Sequence, residues 1–295
     1  MELRDIEIFL TLAEELHFGR TAERLHVSQA RVSQAIKKQE RGVGGELFER
    51  NSRNVRLTLV GEQLRAELVP VYRGLKDSLE RARMAAQGKT HVLRVGMLPS
   101  NAHDLRPYWE TFRARHPQWG LRIRHNPFVD AFGLLRNGDI DVLVAWLPVE
   151  EPDLTVGPVV YQEPSVVLLD ADHKLARDKE VSLEILGDAG ILQGPAGPDY
   201  WADAFMPFHT PSGRPIERHA PHIASLDDIF THVASGEGLH ALGLHVTRYH
   251  ARPDIVYLPI RDWPGLRWGL VWRSEAETDP IRALAKVVRD LGTVV

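Results

Sequence analysis

From Thr58 to Gln87 the chain reads TLVGEQLRAELVPVYRGLKDSLERARMAAQ, and Leu64, Leu68, Val71, Leu75, Leu79, Ala82 and Ala86 fall 4, 3, 4, 4, 3 and 4 residues apart. That rhythm is close to a heptad seam over about three repeats, and a seam along one helix calls for a partner helix. Thr58 can cap the helix start, and Pro70 within it should kink it. Two readings are open: a dimer formed along this helix, or one long helix packed on its own domain. The dimer is preferred, because nothing nearby in sequence offers a matching apolar face. Residues 59–90 are read as a linker and dimerisation helix between an N-terminal domain, residues 1–58, and a C-terminal one, residues 91–295. A chain of 295 residues accommodates two domains or a little more.

Upstream of the seam, Ile6, Phe9, Leu10, Ala13 and Leu16 recur at helical spacing. A second helix fits Arg20 to His26. A third starts at Ser28, a good N-cap residue, and runs to about Arg41, where Gly42, Gly44 and Gly45 end it. At about 100° per residue, Val32, Ala35, Ile36 and Gln39 share one side of this helix. Ala30, Gln34, Lys37 and Arg41 lie opposite, with Gln29 and Ser33 nearer the flank. The outer face is small, polar and cationic. Small residues permit close approach, Gln pairs bidentately with adenine, and Ser bonds to several base edges. The major groove admits one helix. Gln29, Ala30, Ser33, Gln34 and Lys37 are therefore candidate base-facing residues. Any solvated helix face is also polar, so this helix alone does not decide the matter.

The next stretch, LFERNSRNVRLT, places Arg50, Arg53 and Arg56 around an Asn-Ser-Arg-Asn turn between two short extended pieces. Three arginines on a small hairpin resemble a wing that grips phosphates, contributing affinity without reading sequence. Arg31 and Lys38 are grouped with them as phosphate contacts. Charge placement agrees: residues 1–90 hold 16 Lys and Arg against 13 Asp and Glu, the remainder 20 against 27. The positive end is where a polyanion would be met.

Phe18, Ala22, Leu25, VSQARVSQAI at 27–36, Glu40, LFER at 47–50 and VRLTLVGEQL at 55–64 together resemble the LysR-type transcriptional regulators, and the likeness extends more loosely through the rest of the chain. The resemblance implies a winged helix-turn-helix with a long linker helix. After it would come a two-lobed α/β domain of the periplasmic-binding-protein type (type 2). It also implies dimers or tetramers on a two-fold-repeat operator, with RNA polymerase as a further partner. The family often has Pro at the place of Ala30, a basic residue at Gln34, an apolar one at Gln39, and Ser or Thr at Gly19, here taken as the second helix's cap. Gln34 favours a different base, so a typical family half-site does not carry over.

In the C-terminal two hundred residues, β-branched runs alternate with helical patterns. HVLRVGM (91–97), LRIRHN (121–126) and IDVLVAW (140–146) read as strands, with helices over 101–115 and 131–138 between them. Then come strands SVVLLD (165–170), GILQG (190–194) and IERHAPHI (216–223), and helices near 199–208 and over 225–236. LHALGL, DIVYLPI and LRWGLVW are further strands before a final helix, Asp279 to Leu291. Repeated βα units predict α/β with a largely parallel sheet. On the family resemblance the first lobe takes about 91–161 and 266–295, the second about 162–265.

Ligands of open α/β sheets bind beyond the carboxyl ends of strands, at helix starts. That rule selects Ser100 and Asn101, expected to cap the next helix, whose free N–H groups favour an anion. It also selects Pro127 and Phe128, Trp146, Gln193 and Gly194, Ala224 and Ser225, and Gly243 and His245. Trp201, Phe205 and Phe208 are read as core or lobe surface. The expected ligand is a small organic effector, anionic or aromatic, whose binding changes lobe closure.

Fourteen His and no Cys leave no thiol chemistry and no Cys-ligated metal. No H-E-x-x-H, G-x-x-x-x-G-K-[ST] or G-x-S-x-G is present. No catalytic residue, metal or cofactor is assigned. The start, MELRDIEIFLTLAEELHF, carries acids and no small-residue cleavage site, and no apolar run is long enough to span a bilayer. These point to the cytoplasm and no membrane partner. Two function classes remain. One is a ligand-responsive regulator of double-stranded DNA. The other is a small-molecule enzyme or solute-binding module with an N-terminal dimerisation region that does not touch DNA.

Overall fold

The structure is a computed structural model that describes residues 2–50, 55–86, 88–193, 197–219, 223 and 225–294. It forms two compact units, Met1–Gln87 and Gly88–Val295. The first contains α1 (Leu3–Glu15), α2 (Phe18–Arg24), α3 (Gln29–Val43), a hairpin of β1 (Phe48–Arg50) and β2 (Val55–Leu57), and α4 (Leu59–Ala86). The start of α2 differs from expectation. Its cap is His17, whose Nδ1 accepts from the N–H of Arg20 at 3.1 Å, and Gly19 lies inside the helix. The chain then turns through His26 at φ 53° into α3. There Ser28 Oγ accepts from the N–H of Arg31 at 3.2 Å, and Gly44 closes the helix in the left-handed conformation.

The apolar sides of the three helices meet in a core of Ile8, Phe9, Leu12, Ala22, Val32, Ala35 and Ile36, closed below by Leu47 and Phe48. Phe9 and Phe48 meet edge to face at 5.6 Å. The first turns of α4 dock on the same core. Thr58 Oγ1 accepts from the N–H of Gly61, and a β-carbon at Gly61 would stand 2.1 Å from the carbonyl of Leu47. Leu64, Leu68, Val69 and Tyr72 pack against this core, whereas Val71, Leu75 and Leu79 are 66%, 42% and 47% exposed. The seam divides in two. The proximal residues pack on their own domain, and the distal ones present an open apolar stripe. Pro70 lies within α4, which runs as one element.

The second unit runs β3 (His91–Met97), α5 (Arg106–Arg115), β4 (Trp119–His125), α6 (Gly133–Arg136), β5 (Val142–Trp146), β6 (Leu154–Glu163), β7 (Ser165–Asp170), α7 (Leu186–Ala189) and β8 (Ile191–Leu192). It continues with α8 (Asp199–Phe205), β9 (Arg218–His219), α9 (Leu226–Ala234), β10 (His240–Gly243), α10 (Val246–Tyr249), β11 (Ile255–Pro259), β12 (Leu266–Arg273) and α11 (Asp279–Leu291). The first sheet has the order β4-β3-β5-β12-β6. Only β3 pairs in parallel, with β4 and β5, while β12 runs antiparallel to β5 and β6. The second sheet, β10-β7-β11, is antiparallel throughout. The expectation of a largely parallel sheet is therefore corrected. The last strand of the first sheet returns from the second lobe, and β6, a strand the sequence did not signal, flanks it.

These sheets, with a short parallel pair of β8 and β9 beside the second, belong to two lobes, and the chain crosses between them twice, at Glu163–Ser165 and between Pro259 and Leu266. Strand β7 feeds both faces of its sheet. Val167 and Leu169 enter one apolar cluster, while Val166 and Leu168 enter another with Ile229, Phe230 and Val233 of α9. In the first lobe, Tyr108 and Phe112 of α5 and Leu284 and Val288 of α11 cover the sheet. Among the described residues no helix is long and apolar enough to cross a membrane.

Candidate DNA-reading face and effector cleft

Helix α3 buries Val32, Ala35, Ile36 and Gln39 and exposes Gln29, Ala30, Gln34 and Lys37; Ser33 is half-buried. The buried amide of Gln39 donates to the carbonyl of Asp5 at 2.8 Å, which accounts for a polar residue on the inner face. Arg31 and Lys38, expected at the phosphates, also bond within the domain. Asp5 is fully buried, and Arg31 Nη2 at 2.9 Å and Lys38 Nζ at 3.2 Å both bond to its carboxylate; Lys38 also reaches Glu2. A buried carboxylate needs such partners. Burial alone pushes the Asp5 carboxyl up, but the bonds from Lys38 and Arg31 outweigh it and hold it below the ordinary range. These two cations serve first as a clamp between α1 and α3. On the hairpin, Arg50 pairs in register with Val55, and Arg56, exposed, with Glu49. Arg53 lies outside the described residues.

The second unit holds a cavity of about 260 Å³ between its lobes. Of the residues expected at the cleft, Ser100, Phe128, Trp146, Gln193, Gly243 and His245 line it, and Asn101, Pro127 and Ser225 do not. Asn101 is fully buried and does not cap α5, which begins at Arg106 with Pro107 in its first turn; Ser100 does not cap it either. Pro127 is exposed and precedes a short 3₁₀ turn. Ser225 is an ordinary cap, bonded to Asp228 in a reciprocal capping box. Gly194 and Ala224 fall outside the described residues.

The cavity's walls include residues assigned from sequence to core or surface. Trp201 and Phe205 of α8, together with Phe208, line it. The indoles of Trp146 and Trp201 stack face to face, their centroids 3.5 Å apart at 11°. Each donates Nε1–H to the other's main-chain carbonyl, at 3.2 and 3.1 Å. Phe205 and Trp268 complete an aromatic wall around Trp146, at 4.6 and 6.0 Å. The face of α8 turned to the cavity is set by its docking across the lobes, which no local pattern reveals.

Below the wall, a polar network ties the crossing strand to the cavity. Glu163, buried at the end of β6, accepts from the His245 main-chain N–H at 2.7 Å, His245 Nδ1 at 2.8 Å and Trp268 Nε1 at 2.8 Å. A β-carbon at Gly243 would stand 2.1 Å from Glu163 Oε1, so the carboxylate occupies the space a side chain would fill. His245 Nε2 accepts from the main-chain N–H of Ser100 at 3.3 Å, and Ser100 Oγ lies 2.9 Å from His250 Nε2. At the cleft edge Asp104 receives Arg248 at 2.6 Å and Tyr249 at 2.8 Å. The loop after β3 and the segment around α10 are thereby fastened across the lobes. Among the described residues no group of His, Asp and Glu is placed to hold a metal.

Comparison with known proteins accords with both halves. The family described as "Bacterial regulatory helix-turn-helix protein, lysR family" matches residues 3–62, and "LysR substrate binding domain" matches residues 86–292. The chain is 32% identical over 284 residues to the HTH-type transcriptional regulator ShiR of Corynebacterium glutamicum, covering 92% of each protein. A full-length OxyR variant from Pseudomonas aeruginosa is 30% identical with a TM-score of 0.51, covering 98% of this chain and 100% of that one. Full-length CbnR, solved with its target DNA, shares the fold at a TM-score of 0.63 and 19% identity, over 99% of this chain and 100% of its own. An enzyme or solute-binding module that leaves DNA alone does not account for the match over 3–62. A helix-turn-helix domain joined to an effector-binding domain, matched over nearly its whole length, the chain belongs to the LysR family of DNA-binding transcriptional regulators.

Proposed function

We propose that this regulator grips a two-fold-repeat operator with paired α3 helices. Gln29, Ala30, Ser33, Gln34 and Lys37 face the bases of the major groove, and Arg31 and Lys38, with Arg50, Arg53 and Arg56 of the wing, hold the phosphates. Residues 1–58 form the DNA-binding domain, and residues 59–90 join two protomers through the exposed stripe of α4. Residues 91–295 bind the effector, with one lobe from about 91–161 and 266–295 and the other from about 162–265. The effector enters the cavity lined by Ser100, Phe128, Trp146, Gln193, Gly243 and His245. By binding one lobe arrangement better than another, it alters half-site spacing or DNA bending. The protein works in the cytoplasm and passes its signal to RNA polymerase. Without a cysteine, the response rests on binding and not on thiol oxidation.

One observation carries the DNA reading. Gln29, Gln34 and Lys37 are exposed on a helix whose opposite face is buried, and among the described residues their side chains bond to no other. Gel-shift titrations of operator and random duplexes at several salt concentrations test it. Gln34→Ala should cost about 1–3 kcal/mol on the operator and relax preference at one base pair. Arg56→Ala should weaken both duplexes alike and lower the salt slope by about one. Equal losses on both duplexes for Gln34→Ala would remove its base-reading role.

A further inference from the structure

The cleft has one polar corner that the fold leaves unfinished. Arg218 on β9 lines the cavity, half-buried, with its guanidinium 4.2 Å over the ring of Phe208. Among the described residues it donates through Nη2 alone, to the carbonyls of Met206 and Pro207 at 2.5 and 3.2 Å. Its Nε is buried with no acceptor among the described residues. Asp199 and Asp203 act on it as neighbouring charges without bonding to it, and burial works against its charged form. Leaving N–H groups of a desolvated guanidinium unpaired is costly, and an acceptor at this corner relieves the cost.

His240 lines the same cavity. Its Nδ1 lies 3.0 Å from the carbonyl of Leu192 and must donate to it, which leaves Nε2 as an acceptor. Burial pushes the ring down to about 4, so it brings no second positive charge at neutral pH. The corner thus offers one cation beside a neutral acceptor, faced by the aromatic wall of Trp146, Trp201 and Phe205. Asp199 is the acid among the lining residues, and it is exposed, where water solvates it.

Resting on the reading of this cavity as the effector site, we propose that the effector is a small organic carboxylate with a flat apolar body. Its carboxylate pairs with the guanidinium of Arg218 where that group lines the cavity, and its ring lies against Trp146 and Phe205. A single planar guanidinium suits a carboxylate, and a cavity of about 260 Å³ holds a body the size of one ring. A hydroxyl on that ring would find its acceptor in His240.

The test uses the full chain and three probes of one shape and different charge: benzoate, benzamide and benzylamine. Binding is followed by calorimetry, and operator affinity by gel shift in the presence of each. Benzoate should bind at least about tenfold more tightly than benzamide. Arg218→Gln should abolish that preference, and Arg218→Lys, which keeps the charge, should retain part of it. Equal binding of benzoate and benzamide, preference for benzylamine, an anion preference that survives Arg218→Gln, or no binding of any probe would overturn the proposal. Benzamide matching benzoate and still shifting operator affinity would overturn the carboxylate assignment while leaving the cleft as effector site. Carboxylate preference without any change in operator affinity would uphold the ligand class and overturn the effector reading.

Discussion

Glu163 takes both hydrogen bonds that His245 can donate to one neighbour, from its main-chain N–H and from its ring. With Trp268 Nε1 as the third donor, the carboxylate faces donors only, and it sits where the chain crosses from one lobe to the other. Glu163→Gln would turn an amide N–H₂ toward one of them. A loss of about 3 kcal/mol is expected, as for a buried charged partner removed from its network. Urea denaturation would measure it, and a midpoint equal to that of the parent protein would contradict the role assigned to the network.

The clamp of Asp5 by Lys38 and Arg31 makes the N-terminal unit sensitive to acid. The folded carboxyl is held below its ordinary value of 3.8. The stabilisation is therefore present in full above that value and is lost as pH falls toward the depressed folded one. Thermal unfolding followed between pH 6 and about pH 2 should show a falling limb below about pH 4. Asp5→Asn should lower stability at neutral pH and flatten that limb. An unchanged limb would mean that other carboxylates govern it.

Leu75 and Leu79 lie on the open stripe of α4 and are absent from the hydrophobic core of their unit. Replacing both with Glu should leave the unit's thermal stability at low protein concentration within about 0.5 kcal/mol. The same change should shift the protein toward monomer in sedimentation and weaken operator binding by about a hundredfold. Retention of the parent mass would place the self-association surface elsewhere.

Ser100→Ala removes the bond to His250 and keeps the main-chain N–H on His245. The response to effector should shift in midpoint by about threefold to tenfold, for a net hydrogen bond of about 1 kcal/mol. A dose–response of operator binding reads this directly. An identical curve would remove the Ser100 hydroxyl from the site.

What the sequence revealed was chiefly local. Helix α3 was legible because Ser28 and Gly44 bracket a face of Val32, Ala35 and Ile36, and α11 because its apolar stripe repeats cleanly from Asp279 to Leu291. Strand β6 gives no clear local signal because Gly157 and Pro158 interrupt it, and its pairing partner, β12, lies about a hundred residues away. Strand direction in the first sheet is not legible, because a returning strand has the same composition as a parallel one. Arg31 and Lys38 look like free cations until Asp5 is folded beneath them. In the cleft, strand ends such as Trp146 and Gly243 followed a general rule of open sheets. Arg218, His240 and the α8 aromatics became cavity residues only through the packing of one lobe on the other.

The stacked indoles of Trp146 and Trp201 give the molecule an optical gauge of its own. Two such chromophores face to face within van der Waals distance couple their electronic transitions, and the coupling falls steeply as they part. Any movement that slides β5 away from α8 would change their absorption and emission, so domain motion can be timed in unlabelled protein by watching light alone.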